Sequence, residues 1–361
     1  MIYNLNNFAI KGNAKVLDEN FDTNVLHLTH HNLGGYNPER WLALQNQIKK
    51  TIKEKNIKLI VMDACGDPWN LDYNHNGFSI SLKQMMSILN EYCETIIITD
   101  DWHYQSHPVD NIRFFSEGLW HQSQKNLHNY YNFEDTVYDT TIEKTKPLMC
   151  LNNVLEWHRL YLLYLIHNKS WFNDIDYSCI NVLGDRLVPT ETDFSRPSFS
   201  EEQIQALKLI DLPIRLKGEI NPAIGFNGGA SSVDLPVYRD NAINLVTETS
   251  VCDYPGIALS EKTAKPIMAY QIPILISNVG AEQWLEDVGI DMFSDYIPWK
   301  QWNTIVDDKQ RVKCIADFVD ELMQDPDKIL EKHQNFHPRL IVNKQRFHSQ
   351  EFGDLLRAQI T

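Results

Sequence analysis

This chain lacks cysteine pairs at metal or redox spacing. Its six cysteines, Cys65, Cys93, Cys150, Cys179, Cys252 and Cys314, contain no C-x-x-C. That argues against the common zinc ribbons and thioredoxin-like centres and predicts buried free thiols in a reducing compartment. Long apolar runs are also lacking. The run 160–166 is far shorter than the roughly 20 residues needed to span a bilayer. The opening MIYNLNNFAIKGNAK has no signal-peptide core, so the expectation is a soluble cytoplasmic protein of a bacterium or a virus-infected cell, with no membrane span. Basic surplus is lacking as well: 33 Lys and Arg face 48 Asp and Glu, a net charge of −15. Such a field disfavours tight binding to nucleic acid or an anionic membrane. No short-period repeat or low-complexity tract is visible.

What is present describes an ordinary globular protein, with 43% hydrophobic residues, 15 Gly and 15 Pro. At 361 residues it exceeds what one core usually supports, so two domains are expected. The first half alternates apolar β-branched runs (24–29, 57–62, 95–99) with helical spacing at 41–55, carried by Leu42, Leu44, Ile48 and Ile52, and at 81–92. That is the pattern of a parallel sheet covered on both faces. A charged segment closed by proline, EKTKP at 143–147, reads as a linker. Beyond it lie a nearly all-apolar helix at 157–167, a strand at 177–183 and a helix at 198–210 with a Ser200 to Gln203 capping signal. A Gly- and Pro-bearing loop region spans 211–240, and helices are expected at 282–288, 311–323 and about 343–358. The fold class is α/β, with boundaries at 1–145, 146–335 and a helical segment 336–361.

The densest chemistry lies in INLVTETSVCDYPGIALSEKTAKPIMAYQIPILISNVG, residues 243–280. A strand ends at Glu248-Thr249-Ser250, Ser260-Glu261-Lys262-Thr263 opens a helix, and a second strand follows at 272–277. Carboxylate, hydroxyl and ammonium groups thus gather where a strand ends and a helix begins, the usual ligand position in α/β proteins. A helix start suits phosphate through its N–H groups and dipole, and Lys262 adds charge. The same start also reads as an ordinary helix capped by Ser260. Pro266 removes a backbone bond to Lys262 and predicts a loosened or delayed helix start.

The runs T-E-T-S, S-E-K-T-x-K-P, I-P-I-L-I and W-L-x-x-x-G-I-D-M-F resemble the donor half of fucosyltransferase-like glycosyltransferases, bacterial and viral members above all. Cys150-Leu151-Asn152 with Trp157-His158-Arg159-Leu160 is similar to the start of that family's donor domain. The matches cover roughly 147–325. The resemblance implies a GT-B architecture, two Rossmann-like domains facing across a cleft, and inverting transfer of a sugar from a nucleotide-diphosphate donor to a hydroxyl. It implies donor contacts from Asn152, His158, Arg159, Glu248, Ser250, Ser260, Glu261 and Lys262. No cofactor beyond the nucleotide sugar is expected, and no metal. The acceptor would be a surface glycan, a lipopolysaccharide sugar or, less in keeping with the acidic charge, a hydroxymethylated DNA base. Inverting transfer needs a base for the acceptor hydroxyl. Asp67, beside Pro68-Trp69, and Asp101, beside Trp102-His103, are the candidates, with His31 and Glu39 next. A non-catalytic sugar- or nucleotide-binding module, or a sugar-nucleotide hydrolase or epimerase, is the alternative.

Other constellations carry less. Asp72, Asn74, Asn76 and Gly77 mimic half a calcium loop, but Lys83 stands where the closing glutamate belongs. His30-His31, and His103 with His107, lack partners to complete a zinc site and read as polar lining on the acceptor side.

Overall fold

The computed structural model describes residues 2–4, 25–29, 38–64, 87–99, 112–115, 143–152, 156–179, 199–212, 214, 236–248, 251 and 259–348. The chain forms two compact units, one built mainly on Met1–Lys125, the other on Asn126–Asp253 with Leu259–Gln350.

The first unit holds a parallel sheet of β1 (Ile2–Asn4), β2 (Val25–Thr29), β3 (Leu59–Ala64), β4 (Glu94–Thr99) and β5 (Ile112–Phe115). Its strands lie in sequence order. The β-branched runs LIVMDA and ETIIIT form its centre, and Ala64 and Thr99 end side by side. Helix α1 (Pro38–Lys55) connects β2 to β3. Its Ile48 is fully buried, but Leu42 is 59% exposed. The apolar pattern grouped the two, yet six residues of helix rotate a side chain to about 120° from its starting direction, off the stripe. Strands β1 and β5, of three and four residues, were not expected; runs that short show no period. The described end of the helix expected at 81–92 covers 87–90.

The second unit holds β6 (Lys146–Asn152), β7 (Asp176–Cys179), β8 (Asn241–Thr247) and β9 (Ile272–Ile276), all parallel, in the order β7-β6-β8-β9. Every residue of β8 and β9 is buried, as a sheet covered on both faces requires. The helices are α2 (Trp157–Ile166), α3 (Glu201–Lys208), α4 (Pro236–Asp240), α5 (Glu261–Met268), α6 (Ala281–Asp287), α7 (Asp308–Leu322) and α8 (Pro326–His348). Helix α7 packs on α2, while α8 packs on α5, β6 and β8. Their starts follow local chemistry. Ser200 and Gln203 form the expected reciprocal capping box on α3, and the Asp307 side chain accepts from Gln310 N at 2.7 Å to open α7.

Three expectations are corrected. The segment 143–147 is not a linker: Thr145 N donates to Asp240 O at 3.0 Å, residues 146 and 147 belong to β6, and Lys144 is buried. Its ammonium spends all three N–H groups on the carbonyls of Tyr238 (3.1 Å), Arg239 (2.8 Å) and Ala269 (3.0 Å), where α4 and α5 end. Burial lowers its pKa to about 8. The loop region 211–240 contains the short α4. No new segment begins at 336, because α8 runs through that position. Arg339, beyond it, ties α8 to the second unit through Asp291 at 2.5 Å and Asp295 at 2.9 Å. Among the described cysteines all are free: Cys150 and Cys179 are buried, Cys93 and Cys314 partly so.

Candidate functional site

After β6 the chain builds β7 on one side, then returns past β6 to build β8 on the other. The crevice at the carboxyl ends of β6 and β8 is therefore a topological switch point, where the following loops part and leave room for a ligand. Strand β6 ends there at Asn152 and leads into α2. Strand β8 ends there at Thr247-Glu248 and α5 follows.

The side chains at this edge form one hydrogen-bonded group. Asn152 is buried; its Oδ1 accepts a very short bond from the Thr247 hydroxyl, and its N–H donates to Ser178 Oγ at 3.2 Å. The start of α2 sends two side chains onto the end of β8. His158 Nε2 lies 2.8 Å from Glu248 O, and Arg159 Nη2 donates to Thr247 O (3.3 Å) and Glu248 O (3.1 Å). Trp157 Nε1 donates to Val251 O at 3.2 Å. The Glu248 side chain, fully buried, turns toward α5. Its Oε1 accepts from Ser260 N (2.9 Å) and the Thr263 hydroxyl (2.5 Å), and its Oε2 accepts from the Ser260 hydroxyl (2.5 Å). Ser260 Oγ in turn accepts from Lys262 N at 3.2 Å and Lys262 Nζ at 3.4 Å.

Burial sets the electrostatics. His158 is 1% exposed, and desolvation drives its pKa well below the usual histidine value, helped by the charges of Arg159, Lys262 and Arg311. The ring is therefore neutral near pH 7. A carbonyl oxygen can only accept, so Nε2 carries the proton and Nδ1 is a bare acceptor. That Nδ1 is buried, with no hydrogen-bond partner among the described residues. Arg159 is also buried, which lowers its pKa from the usual arginine value, while the Glu156 and Glu248 charges oppose that shift. The thiols of Cys150 and Cys179 below it are pushed up to about 12 by burial, so neither is a nucleophile.

The structure thus brings together six of the eight residues assigned to a donor: Asn152, His158, Arg159, Glu248, Ser260 and Lys262. Ser250 lies outside the described residues, as does the Glu261 side chain, though residue 261 opens α5. Two readings change. Backbone N–H groups offered to a phosphate at the start of α5 are already engaged: Ser260 N donates to Glu248 Oε1, Lys262 N to Ser260 Oγ and Thr263 N to Ser260 O. Nor is the helix start delayed by Pro266: α5 begins at Glu261, directly after its Ser260 cap. Of the six, Lys262 is the one that is not buried. The base candidates Asp67 and Asp101 lie outside the described residues, as do His31 and the Glu39 side chain. So do Asp72, Asn74, Asn76, Gly77, Lys83, His30, His103 and His107.

Three contributors escaped the sequence reading. Thr247 and Thr263 look like ordinary strand and helix residues until the register places them beside Asn152 and Glu248. Arg311, in α7, adds a buried guanidinium that donates to Ser277 O at 3.1 Å just past β9; nothing local in the sequence marks it. Among the described residues no group of three or more His, Cys, Asp or Glu could hold a metal ion, and no helix is long and apolar enough to cross a membrane.

No family model matches the chain, and no curated protein matches it. The fucosyltransferase-like resemblance therefore stands on the quoted motifs. Among solved structures the chain is similar to a UDP-forming α,α-trehalose-phosphate synthase from Burkholderia xenovorans, with 10% identity over 93% of this chain and 72% of that one, at a TM-score of 0.43. It is similar also to an α,α-trehalose-phosphate synthase (UDP-forming) from the same organism in complex with glucose-6-phosphate, with 10% identity over 93% and 73%, at a TM-score of 0.40.

Proposed function

We propose that the chain is a glycosyltransferase of GT-B type that takes a sugar from a nucleotide-diphosphate donor, and that the β6/β8 crevice of the second unit holds the donor. The observation that carries this reading is the coincidence of the switch point with a built polar group: Asn152, His158, Arg159 and Glu248 fixed beneath Lys262. The motif resemblance supports it. In this reading Lys262 neutralises the diphosphate, whose charge grows as the bond from C1 of the sugar to phosphate oxygen breaks. The acceptor hydroxyl oxygen attacks C1, and a carboxylate takes its proton. Asp67 or Asp101 is proposed as that base, with a glycan hydroxyl as acceptor and inversion at C1. Glu248 and Arg159 act from beneath, since both Glu248 carboxylate oxygens and Arg159 Nη2 hold protein groups.

The test is a thermal-shift series with UDP, GDP and their sugar derivatives, because a ligand that binds only the folded state raises the melting temperature. A shift with one nucleoside diphosphate is expected. No shift with any at millimolar concentration would sink the donor site. Release of the nucleoside diphosphate only when a glycan is added separates a transferase from a binding module, and release into water alone marks a hydrolase.

A further inference from the structure

Ser260 has one hydroxyl hydrogen and two lone pairs. The hydrogen goes to Glu248 Oε2 at 2.5 Å, which leaves both lone pairs for Lys262, through N at 3.2 Å and Nζ at 3.4 Å. The direction of the hydroxyl is set by its neighbour, because a carboxylate oxygen in that place accepts. Oε1 of the same carboxylate is held by two donors, Ser260 N and the Thr263 hydroxyl, so the group has one orientation. The Nζ contact, at 3.4 Å, is long for an N–H···O bond, so this hydroxyl orients the lysine through a weak contact.

We propose that Glu248 is a positioning residue: its carboxylate orders the Ser260 hydroxyl, and that hydroxyl aims the Lys262 ammonium. The significance for catalysis rests on the donor reading above, in which Lys262 meets the diphosphate. The role differs from holding a sugar hydroxyl, since both Glu248 oxygens serve the protein. It also makes a specific demand on chemistry. In Glu248→Gln the amide oxygen must stay at the Oε1 place, because an NH2 there would face two donors. The NH2 then falls at the Oε2 place and donates to Ser260 Oγ. One of the two lone pairs is consumed and the hydroxyl hydrogen loses its acceptor, so at most one of the two contacts to Lys262 survives, without any change in side-chain size.

The experiment uses the full chain and two readouts. Lysine ammonium or methyl-labelled lysine NMR of the nucleotide-free protein follows Lys262, assigned by loss of its signal in Lys262→Gln. Calorimetric titration with UDP and GDP follows affinity. Glu248→Gln and Ser260→Ala should each move the Lys262 signal and weaken the bound nucleotide about tenfold, the size of one lost charge-assisted contact. The double variant should be no weaker than the worse single one, because both break the same chain of bonds. Thr263→Val removes an Oε1 contact outside that chain and should leave the Lys262 signal in place. An unmoved Lys262 signal in both Glu248→Gln and Ser260→Ala overturns the proposal, whatever happens to affinity. A moved signal in a protein whose wild type binds neither nucleotide upholds the ordering role and rejects the donor reading instead. If melting shows Glu248→Gln unfolded, Ser260→Ala with Ser260→Thr as its rescue decides, since only threonine restores a hydroxyl.

Discussion

The two parallel sheets are ordered differently. In the first unit β1 to β5 lie side by side as they follow one another in the chain; in the second, β6 sits between β7 and β8. Both are parallel among the described strands. Only the second, among the described strands, reverses direction, and its polar side chains gather at the reversal. Apolar pattern thus makes a sheet, while strand order decides where a crevice opens. The first unit offers instead two strand ends in register, Ala64 and Thr99, with Asp67 and Asp101 a few residues beyond each.

The strongest way to sharpen that contrast is to separate chemistry from binding. Asp67→Asn or Asp101→Asn, whichever is the base, should lower turnover by about 10²–10⁴-fold while UDP or GDP affinity stays unchanged. Near-normal turnover in both variants would return the base to the second unit or to His31 or Glu39. Next in size is a contrast within the second unit. Arg159→Ala removes a buried guanidinium from the carbonyls of Thr247 and Glu248 and should cost about 3 kcal/mol of folding stability, read by urea unfolding. Lys262→Ala, at a partly buried position, should leave the unfolding midpoint in place and weaken nucleotide-diphosphate binding by about 1.5–3 kcal/mol. Equal stability loss in the two variants would erase the distinction between supporting and contacting groups.

Acid should weaken the second unit. Burial lowers His333 to about 4, while its Nε2 lies 2.7 Å from Tyr270 O, and His158 is depressed as well. Below about pH 6.5 the unfolded chain takes these protons and the folded one does not, so stability is present above that pH and declines as pH falls toward 4. For His333 alone the loss approaches about 3 kcal/mol. His333→Gln should flatten the decline measured at pH 7, 5.5 and 4.5; an identical slope would remove His333 from the account. The smallest effect has the opposite sign. Glu282 is buried, its pKa raised to about 7 by desolvation against a bond from Trp302 Nε1 at 2.9 Å. The unfolded chain loses that proton near 4.5, so ionisation costs stability progressively up to pH 7 and fully above it. Glu282→Gln should therefore raise the melting temperature at pH 8 by about 2–4 °C, and by less at pH 5.

Much of this architecture could be read from residue types. The capped start at Ser200, the largely apolar α2 and the strand-turn-helix around Glu248 and Ser260 each carry their signal within a few neighbours. What could not be read has a common cause. Lys146-Pro147 looks like the end of a linker because its charge and proline are local facts, whereas its place in β6 depends on partners some 30 and 95 residues away. Helix α8 was read only in its last turns, since Pro338 lies inside it and Pro326 opens it. At the site the residues were legible and their directions were not. Arg159 and Glu248 were assigned to ligand because their types suit ligand; the register of β6 and β8 turns both onto protein.

Lys144 has a practical consequence for anyone who cuts this chain. It stands two residues before the first strand of the second sheet, yet its one ammonium ties off the last carbonyls of two helices that come about 95 and 125 residues later. A fragment begun at Lys146, where charge and proline invite the cut, would contain every described strand and helix of the second unit and still leave those three oxygens without the ammonium. One begun at Asn126 keeps the knot. Expressed side by side, the longer fragment should melt cooperatively and the shorter one should not, and restoring residues 143–145 alone should recover most of the difference.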